Sequence, residues 1–245
     1  IEFSKQYHTV GFDKNKDRIN QLKNGIDNTL EITEQELNAT KLSYTTSELG
    51  EFADCNVYIV TVPTPVDKFN NPDLSPLALA STTVGKVLNK NDVVIYESTV
   101  YPGCTEEDCI PVLEQESGLK FREDFMVGYS PERINPGDKV RKLKDIVKVT
   151  SGSNAEIAQK VDDLYNSIIV AGTHLAPSIK VAAASKAIEN AKRDIQLSVA
   201  NAKKDLLAQV GGMVVNLSES LLKRTINSRD KDQFITSNLN RLETK

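Results

Sequence analysis

No run of about 18 apolar residues occurs anywhere in this sequence of 245 residues, so no membrane-spanning helix is expected. No secretory signal opens it. Cysteine is scarce: Cys55, Cys104 and Cys109 are an odd number without metal-ligand spacing. That count argues against a disulfide framework and a metal site, and for a reducing compartment. An excess of positive charge is missing too, since 30 Lys and Arg against 34 Asp and Glu leave a net charge of -4. Nucleic acid and other long polyanions are therefore not expected as partners, although a local basic pocket for one phosphate stays compatible. A soluble, cytoplasmic protein is expected. The length suffices for one large or two ordinary domains whose core needs no covalent staples.

The most informative stretch present is residues 92–103, Asp-Val-Val-Ile-Tyr-Glu-Ser-Thr-Val-Tyr-Pro-Gly. Val93, Val94 and Ile95 form a β-branched triplet, the pattern of a strand covered on both faces, and such strands belong mainly to parallel sheets. Ligands of open α/β sheets collect beyond the carboxyl ends of the strands, where Ser98, Thr99 and the Pro102-Gly103 turn would sit. The same residues also serve simply to end strands.

Around this stretch, strand and helix alternate. Residues 8–13 read as a short strand ending in Asp13, and residues 15–24 as an amphipathic helix. A carboxylate at the end of the second strand of a dinucleotide-binding fold hydrogen-bonds the adenosine ribose, while Asp13 followed by Lys-Asn-Lys equally suits a helix cap. Thr33 and Glu36 have the form of a capping box and predict a short helix. Residues 42–46 read as a strand, and residues 55–62 as a buried strand that Pro63-Thr64-Pro65 stops. The polar loop through Asp67, Asn70, Asn71 and Pro72 is long for a bare connector. Helices are expected at residues 77–88, 106–117 and 155–168, and strands at 125–129, 145–150 and 169–175. The strand at 125–129 runs into Ser130-Pro131-Glu132-Arg133-Ile134-Asn135-Pro136-Gly137, a second rigid polar turn. The alternation predicts an α/β fold over residues 1–175, a truncated Rossmann-like, doubly wound, mostly parallel sheet. Residues 176–245 contain no convincing strand. A long helical pattern, interrupted only at Gly211-Gly212, fills them.

Val62-Pro63-Thr64-Pro65, Glu97-Ser98-Thr99-Val100-Tyr101-Pro102-Gly103, the Ser130–Gly137 turn and Lys186-Ala-Ile-Glu-Asn190 stand in that order. Together they resemble the UDP-glucose/GDP-mannose dehydrogenase family, in the branch that oxidises UDP-N-acetylhexosamines for surface polysaccharides. The resemblance covers residue 1 to about residue 200. It implies NAD as cofactor, a nucleotide sugar as substrate, and two successive oxidations through a cysteine thiohemiacetal. It places Asp13 on the adenosine ribose, Val62, Pro63 and Thr64 along the dinucleotide, and Thr99 beside the nicotinamide and reacting carbon. Glu132 falls on the glutamate that acts with water in hydrolysis. Lys186 and Asn190 fall on the pair that polarises the sugar oxygen and stabilises the oxyanion, and residues four apart on a helix can point at one oxygen. Outside the resemblance, Lys186 and Asn190 would read as an ordinary solvated helix face.

The departures from the family carry expectations of their own. Ile1 is not an initiator Met, residues 1–7 read as the end of a helix, and the family's opening strand and glycine-rich turn are absent from the sequence. That strand is central in the doubly wound order, so its two neighbours should be left unpaired or another element should fill the gap. None of the three cysteines sits in the family's Gly-Gly-His-Cys motif, and Ala183 stands where related sequences carry an acidic residue. Impaired or absent dehydrogenase activity is expected.

Apolar or Ala residues at 188, 191, 195, 199, 202, 206, 210, 213, 217 and 221 make nine steps over 33 residues, about 3.67 per step. That is the period of a nearly straight or slightly right-handed coiled coil. From Asn201 onward the text resembles the C-terminal part of the peripheral-stalk b subunit of F-type ATP synthases. A join near residue 200, natural or engineered, is expected, and the helix would serve a homo-oligomer or a partner helix. A generic amphipathic helix packing on its own domain fits the same pattern.

Overall fold

Val94 and Ile95 of the β-branched triplet are 0% and 1% exposed in strand β4 (Val93–Tyr96), and Tyr96 after them is 1% exposed, so the strand is covered on both faces, while Val93 at its start is half-buried. Alternating side chains enter different layers. Val94 and Tyr96 join Leu77, Leu113, Val127 and Tyr129 in one apolar cluster, and Ile95 joins Ile157, Val161 and Tyr165 in another. The first layer receives α3 (Ser75–Gly85) and α4 (Ile110–Ser117), and the second α5 (Ala155–Asn166). A sheet with helices on both faces results.

The computed structural model describes residues 1–29, 32–48, 50–69, 71–133, 143–222 and 228–243, without the side chains at 190, 221–222, 228 and 238–243. By compactness the chain divides into Ile1–Ala187 and Ile188–Lys245.

In the first unit, β3 (Val57–Val60), β4 and β5 (Met126–Tyr129) pair in parallel. Next comes β6 (Lys148–Gly152), antiparallel to β5, and then β7 (Thr173–Leu175), parallel to β6. The order is β3-β4-β5-β6-β7. A separate parallel pair is formed by β1 (Val10–Phe12) and β2 (Ser43–Thr45). Phe12 stacks on Phe52 at 4.6 Å and Phe52 meets Tyr58 edge-on at 5.4 Å, so aromatic packing carries the core from the small sheet to the large one. No strand among the described residues pairs with β1 on the side away from β2, or with β3 on the side away from β4. The two neighbours of the expected central strand are unpaired.

Local signals explain most boundaries. Asn15 caps α1 (Lys16–Lys23) by accepting from the Asp17 and Arg18 N–H groups. The Thr33–Glu36 capping box is formed at α2 (Glu34–Asn38). The helix expected from residue 106 opens as a π turn, Thr105–Cys109, before α4. Pro111 in the first turn of α4 crowds the carbonyl four residues back, which favours a widened turn there. β6 begins three residues later than expected, after a 3₁₀ turn at Leu143–Asp145. β7 begins after Gly172, whose φ of +83° breaks the extended run from Ile169. Residues 134–137 of the second polar turn, and Asn70 of the long loop, lie outside the described residues.

Helix α6 (Ile179–Leu222) begins in the first unit, where Ile179, Ala182 and Ala183 enter the larger apolar cluster. It runs through Gly211-Gly212 without interruption. Within the second unit, α7 (Ser228–Glu243) brings Ile235 to 3.7 Å from where a Cβ on Gly211 would sit, and Lys231 pairs with Glu219 at 3.3 Å. No helix among the described residues is long and apolar enough to cross a membrane.

Candidate functional site

The carboxyl ends of β1, β3, β4 and β5 carry the residues singled out from the sequence. Asp13 follows β1, Val62, Pro63 and Thr64 follow β3, Thr99 follows β4 and Glu132 follows β5. Asp13, Lys14, Val62 and Pro63 line one cavity of about 400 Å³, whose inner walls include Phe12, Tyr58, Val60 and Val84. A larger hollow of about 600 Å³ along β2 holds none of these site residues. The smaller cavity is the candidate site, because Asp13, Val62 and Pro63, expected to hold a nucleotide, meet there, while Thr64, Thr99, Glu132 and Lys186 do not line it.

Asn15 rather than Asp13 is the helix cap, which decides one alternative left open by the sequence. The Asp13 carboxylate accepts the Asn15 N–H at 2.8 Å and remains exposed at the cavity rim. That bond fixes the carboxylate at the strand end while leaving it reachable by a ligand hydroxyl.

The turns after β3 and β4 are locked together from both sides. Ser98 Oγ donates to the Val62 carbonyl at 2.6 Å, and Thr64 Oγ1 donates to the Thr99 carbonyl at 2.7 Å. Ser98 is buried and Thr99 exposed, so the backbone is held while the Thr99 side chain is presented outward. The loop that follows is built around Asp67, which accepts the N–H groups of Phe69 and Asn71 at 2.8 and 2.9 Å.

Beneath Glu132 lies a polar cluster that was not read from the sequence as part of the site. Lys148 is 1% exposed, and its Nζ lies 3.0 Å from Glu97 Oε2 and 3.8 Å from Glu132 Oε2. Tyr165 donates its phenol hydrogen to the other Glu97 oxygen, and Lys148 stands 5.4 Å from the Tyr165 ring centre. Burial and the adjoining Glu97 carboxylate push the Tyr165 phenol well above its ordinary pKa, which keeps it a donor. The Glu132 N–H donates to the Glu97 carbonyl at 3.0 Å, so backbone and side chain together hold Glu132. A sequence signal existed: a lysine inside the apolar run Ile146-Val147-Lys148-Val149 needs a buried counter-charge.

Lys186 is 8% exposed, one turn beyond Ala182 and Ala183, and so does not lie on a solvated face. Asn190 belongs to the second unit and its side chain lies outside the described residues, so the Lys186–Asn190 pair stands on sequence spacing alone. Ala183, at 1% exposure, fills a core position. The thiols offer no activated nucleophile. The hydrogen bond with Cys109 and burial push the Cys104 thiol up, and burial raises that of Cys55, which also donates to the Glu51 carbonyl at 3.2 Å. Among the described residues no group of three or more His, Cys, Asp or Glu is placed to hold a metal.

Removing Lys148 would leave the Glu97 carboxylate, 12% exposed, beside Glu132 without its counter-charge. We expect Lys148→Met to cost about 3–5 kcal/mol in urea unfolding. The double variant Lys148→Met/Glu97→Gln should recover a large part of that loss. Equal losses in the single and double variants would show that the pair is not the source of the cost.

Comparison with known proteins shows the family. A family model described as "UDP-glucose/GDP-mannose dehydrogenase family, NAD binding domain" matches residues 2–169. The UDP-N-acetyl-D-glucosamine 6-dehydrogenase of Salmonella typhi is 56% identical over 201 residues, covering 82% of this chain and 47% of that protein. The Pseudomonas aeruginosa protein of the same name is 59% identical over 202 residues, covering 82% and 48%. The solved UDP-D-ManNAc dehydrogenase of Pyrococcus horikoshii superposes with a TM-score of 0.79 at 29% identity, covering 89% of this chain and 54% of the other. The chain spans about half the length of the curated relatives it matches. With a family match over residues 2–169 and relatives more than half identical over about 200 residues, the chain belongs to the UDP-glucose/GDP-mannose dehydrogenase family through its NAD-binding domain.

Proposed function

We propose that the first unit is the NAD-binding part of a UDP-sugar 6-dehydrogenase whose substrate is a UDP-N-acetylhexosamine. The observation that carries this reading is the meeting of Asp13, Val62 and Pro63 at one cavity beyond the strand ends. The Asp13 carboxylate is suited to two ribose hydroxyls, and the Val62–Thr64 turn gives a flat, proline-stiffened wall for a dinucleotide. Bound NAD would supply the hydride acceptor. Thr99, presented by the locked turn after β4, stands at the next strand end, where the reacting carbon would be oriented. Glu132, held by Glu97 and Lys148, is suited to hold a water or move its proton in the hydrolytic half of the reaction. Lys186 and Asn190 are assigned to the sugar oxygen and its developing negative charge on the family pattern.

The 245-residue chain by itself is expected to bind NAD without carrying the substrate to the uronic acid, because Cys104 and Cys109 are buried and Cys55 is held as a neutral thiol. Calorimetric titration with NAD should give saturable heat, and Asp13→Ala should weaken binding roughly ten- to hundredfold, the worth of a charge-assisted hydrogen-bond pair. Absence of binding at millimolar NAD, or equal affinity in Asp13→Ala, would overturn the assignment. So would formation of a uronic acid from UDP-N-acetylglucosamine.

A second reading concerns the other unit. Ile188, Ile195, Val199, Leu206, Val210, Met213 and Leu217, all on the 3.67-residue stripe, are 45–69% exposed. Seven large apolar side chains in a helical row suit a partner helix or a second copy of the chain better than water. Mass measured by light scattering should rise with concentration, and Leu206→Lys/Met213→Lys should abolish the rise while leaving the thermal unfolding of the first unit unchanged. A monomeric mass at all concentrations would count against this reading.

A further inference from the structure

Cys104 and Cys109 stand five residues apart, about 1.4 turns of an α-helix, so an ordinary helical register would turn their thiols to different faces. The π turn at Thr105–Cys109 removes that obstacle. Ile110 N–H donates to the Thr105 carbonyl, five residues back, and one widened turn spans the pair. The two thiols share a hydrogen bond, with Cys104 0% and Cys109 2% exposed. Cys104 also hydrogen-bonds the carboxylate of Asp108, which is exposed, so a proton leaving this buried sulfur has an acceptor with access to water. Two thiols that merely filled the core would need neither the contact nor the carboxylate. The turn after β4 is fastened to the same unit. Cys104 N–H donates to the Tyr101 carbonyl at 3.1 Å, Glu107 N–H donates to the Gly103 carbonyl at 2.8 Å, and the Tyr101 hydroxyl donates to Asp108.

We propose that Cys104 and Cys109 form a redox-sensitive pair that a small hydroperoxide closes into a disulfide, pinning the π turn and with it the turn that presents Thr99. The reaction balances. Cys104 passes its proton to Asp108 and attacks one peroxide oxygen; the O–O bond breaks, and the hydroxide released takes up that proton as water. The Cys109 sulfur then displaces the hydroxyl of the sulfenic acid on Cys104, and that hydroxyl leaves with the Cys109 hydrogen as a second water. The pair gives up two electrons and two protons, and the peroxide takes both. The hydrogen bond with Cys109 and burial hold the Cys104 thiol above its ordinary pKa, so the closed turn reacts slowly and oxidation follows its opening. An S–S bond of about 2.0 Å is shorter than a hydrogen-bond contact between sulfurs, so its formation draws the ends of the π turn together. The Tyr101 and Gly103 carbonyls bonded to that turn move with it. The consequence for the reaction rests on the placement of Thr99 beside the nicotinamide; the disulfide does not.

The test uses the full chain, treated with hydrogen peroxide and then digested with trypsin. Lys90 and Lys120 bound one fragment, residues 91–120, which holds both cysteines of the pair and excludes Cys55. That fragment should lose about 2 Da, resist alkylation, and recover its mass and both alkylation sites with dithiothreitol. In the intact oxidised chain, amide exchange over Thr105–Ile110 should slow by about tenfold or more, and the Thr99 amide resonance should shift. Neither change should occur in Cys104→Ala or Cys109→Ala, and Cys104→Ser serves where an alanine variant fails to fold. Gain of oxygen on the fragment in place of lost hydrogen, two alkylatable thiols left after the oxidant, or a disulfide formed with the Thr99 resonance unmoved would overturn the proposal. Failure of the reduced chain to bind NAD would sink the cofactor assignment alone, because none of these readouts needs a nucleotide.

Discussion

Glu97 is the junction on which the site depends. Its N–H donates to the Val60 carbonyl and its carbonyl accepts from Glu132, so its peptide groups tie the ends of β3 and the turn after β5 to β4. Its carboxylate holds the Lys148 ammonium at 3.0 Å and receives the Tyr165 hydroxyl. A single residue thus joins three strand ends to the helix layer on α5. Buried ion pairs contribute little net stability, but they are costly to break, and that cost gives the turns after β4 and β5 one arrangement rather than several.

From this junction the site extends along the strand ends by short polar locks. Ser98 and Thr64 cross-link two turns through each other's backbone, and Asn15 anchors Asp13. The catalytic and cofactor assignments of Thr99, Glu132 and Asp13 therefore sit on backbone that is over-determined by hydrogen bonds. Sites need such support, because a side chain misplaced by about 1 Å loses much of its effect on a reaction. The Asp13 side of the cavity is built differently. It belongs to a two-stranded sheet joined to the larger one by the Phe12, Phe52 and Tyr58 contacts instead of by a strand.

Much of this organisation was legible in the sequence, and the reasons are particular. Val94 and Ile95 of the β-branched run are covered as its composition stated, the Thr33–Glu36 box stated its cap, and Pro63 and Pro65 set a limit that β3, ending at Val60, stops short of. The gap beside β1 and β3 followed from the family's strand order, which left open whether another element would fill it. What was not legible depended on partners distant in the chain. Lys148 lies 51 residues from Glu97, and nothing near Lys148 announces that counter-charge. The helix expected at 106–117 lost its first turn to Pro111, and the edge of β7 moved because Gly172 adopts positive φ. Gly211-Gly212 reads as an interruption, yet α6 continues through it, since a glycine inside a helix costs only about 1 kcal/mol.

The central claim is that Asp13 and the turns after β3 and β4 form one nucleotide surface. An amide chemical-shift map of the isotopically labelled chain on addition of NAD tests it most directly. Perturbations clustered at Asp13, Lys14, Val62, Thr64 and Thr99, saturating together with one dissociation constant, are the predicted result. Shifts confined to the hollow along β2, at Lys23, Asn38 and Tyr44, or no shifts at saturating NAD, would contradict it.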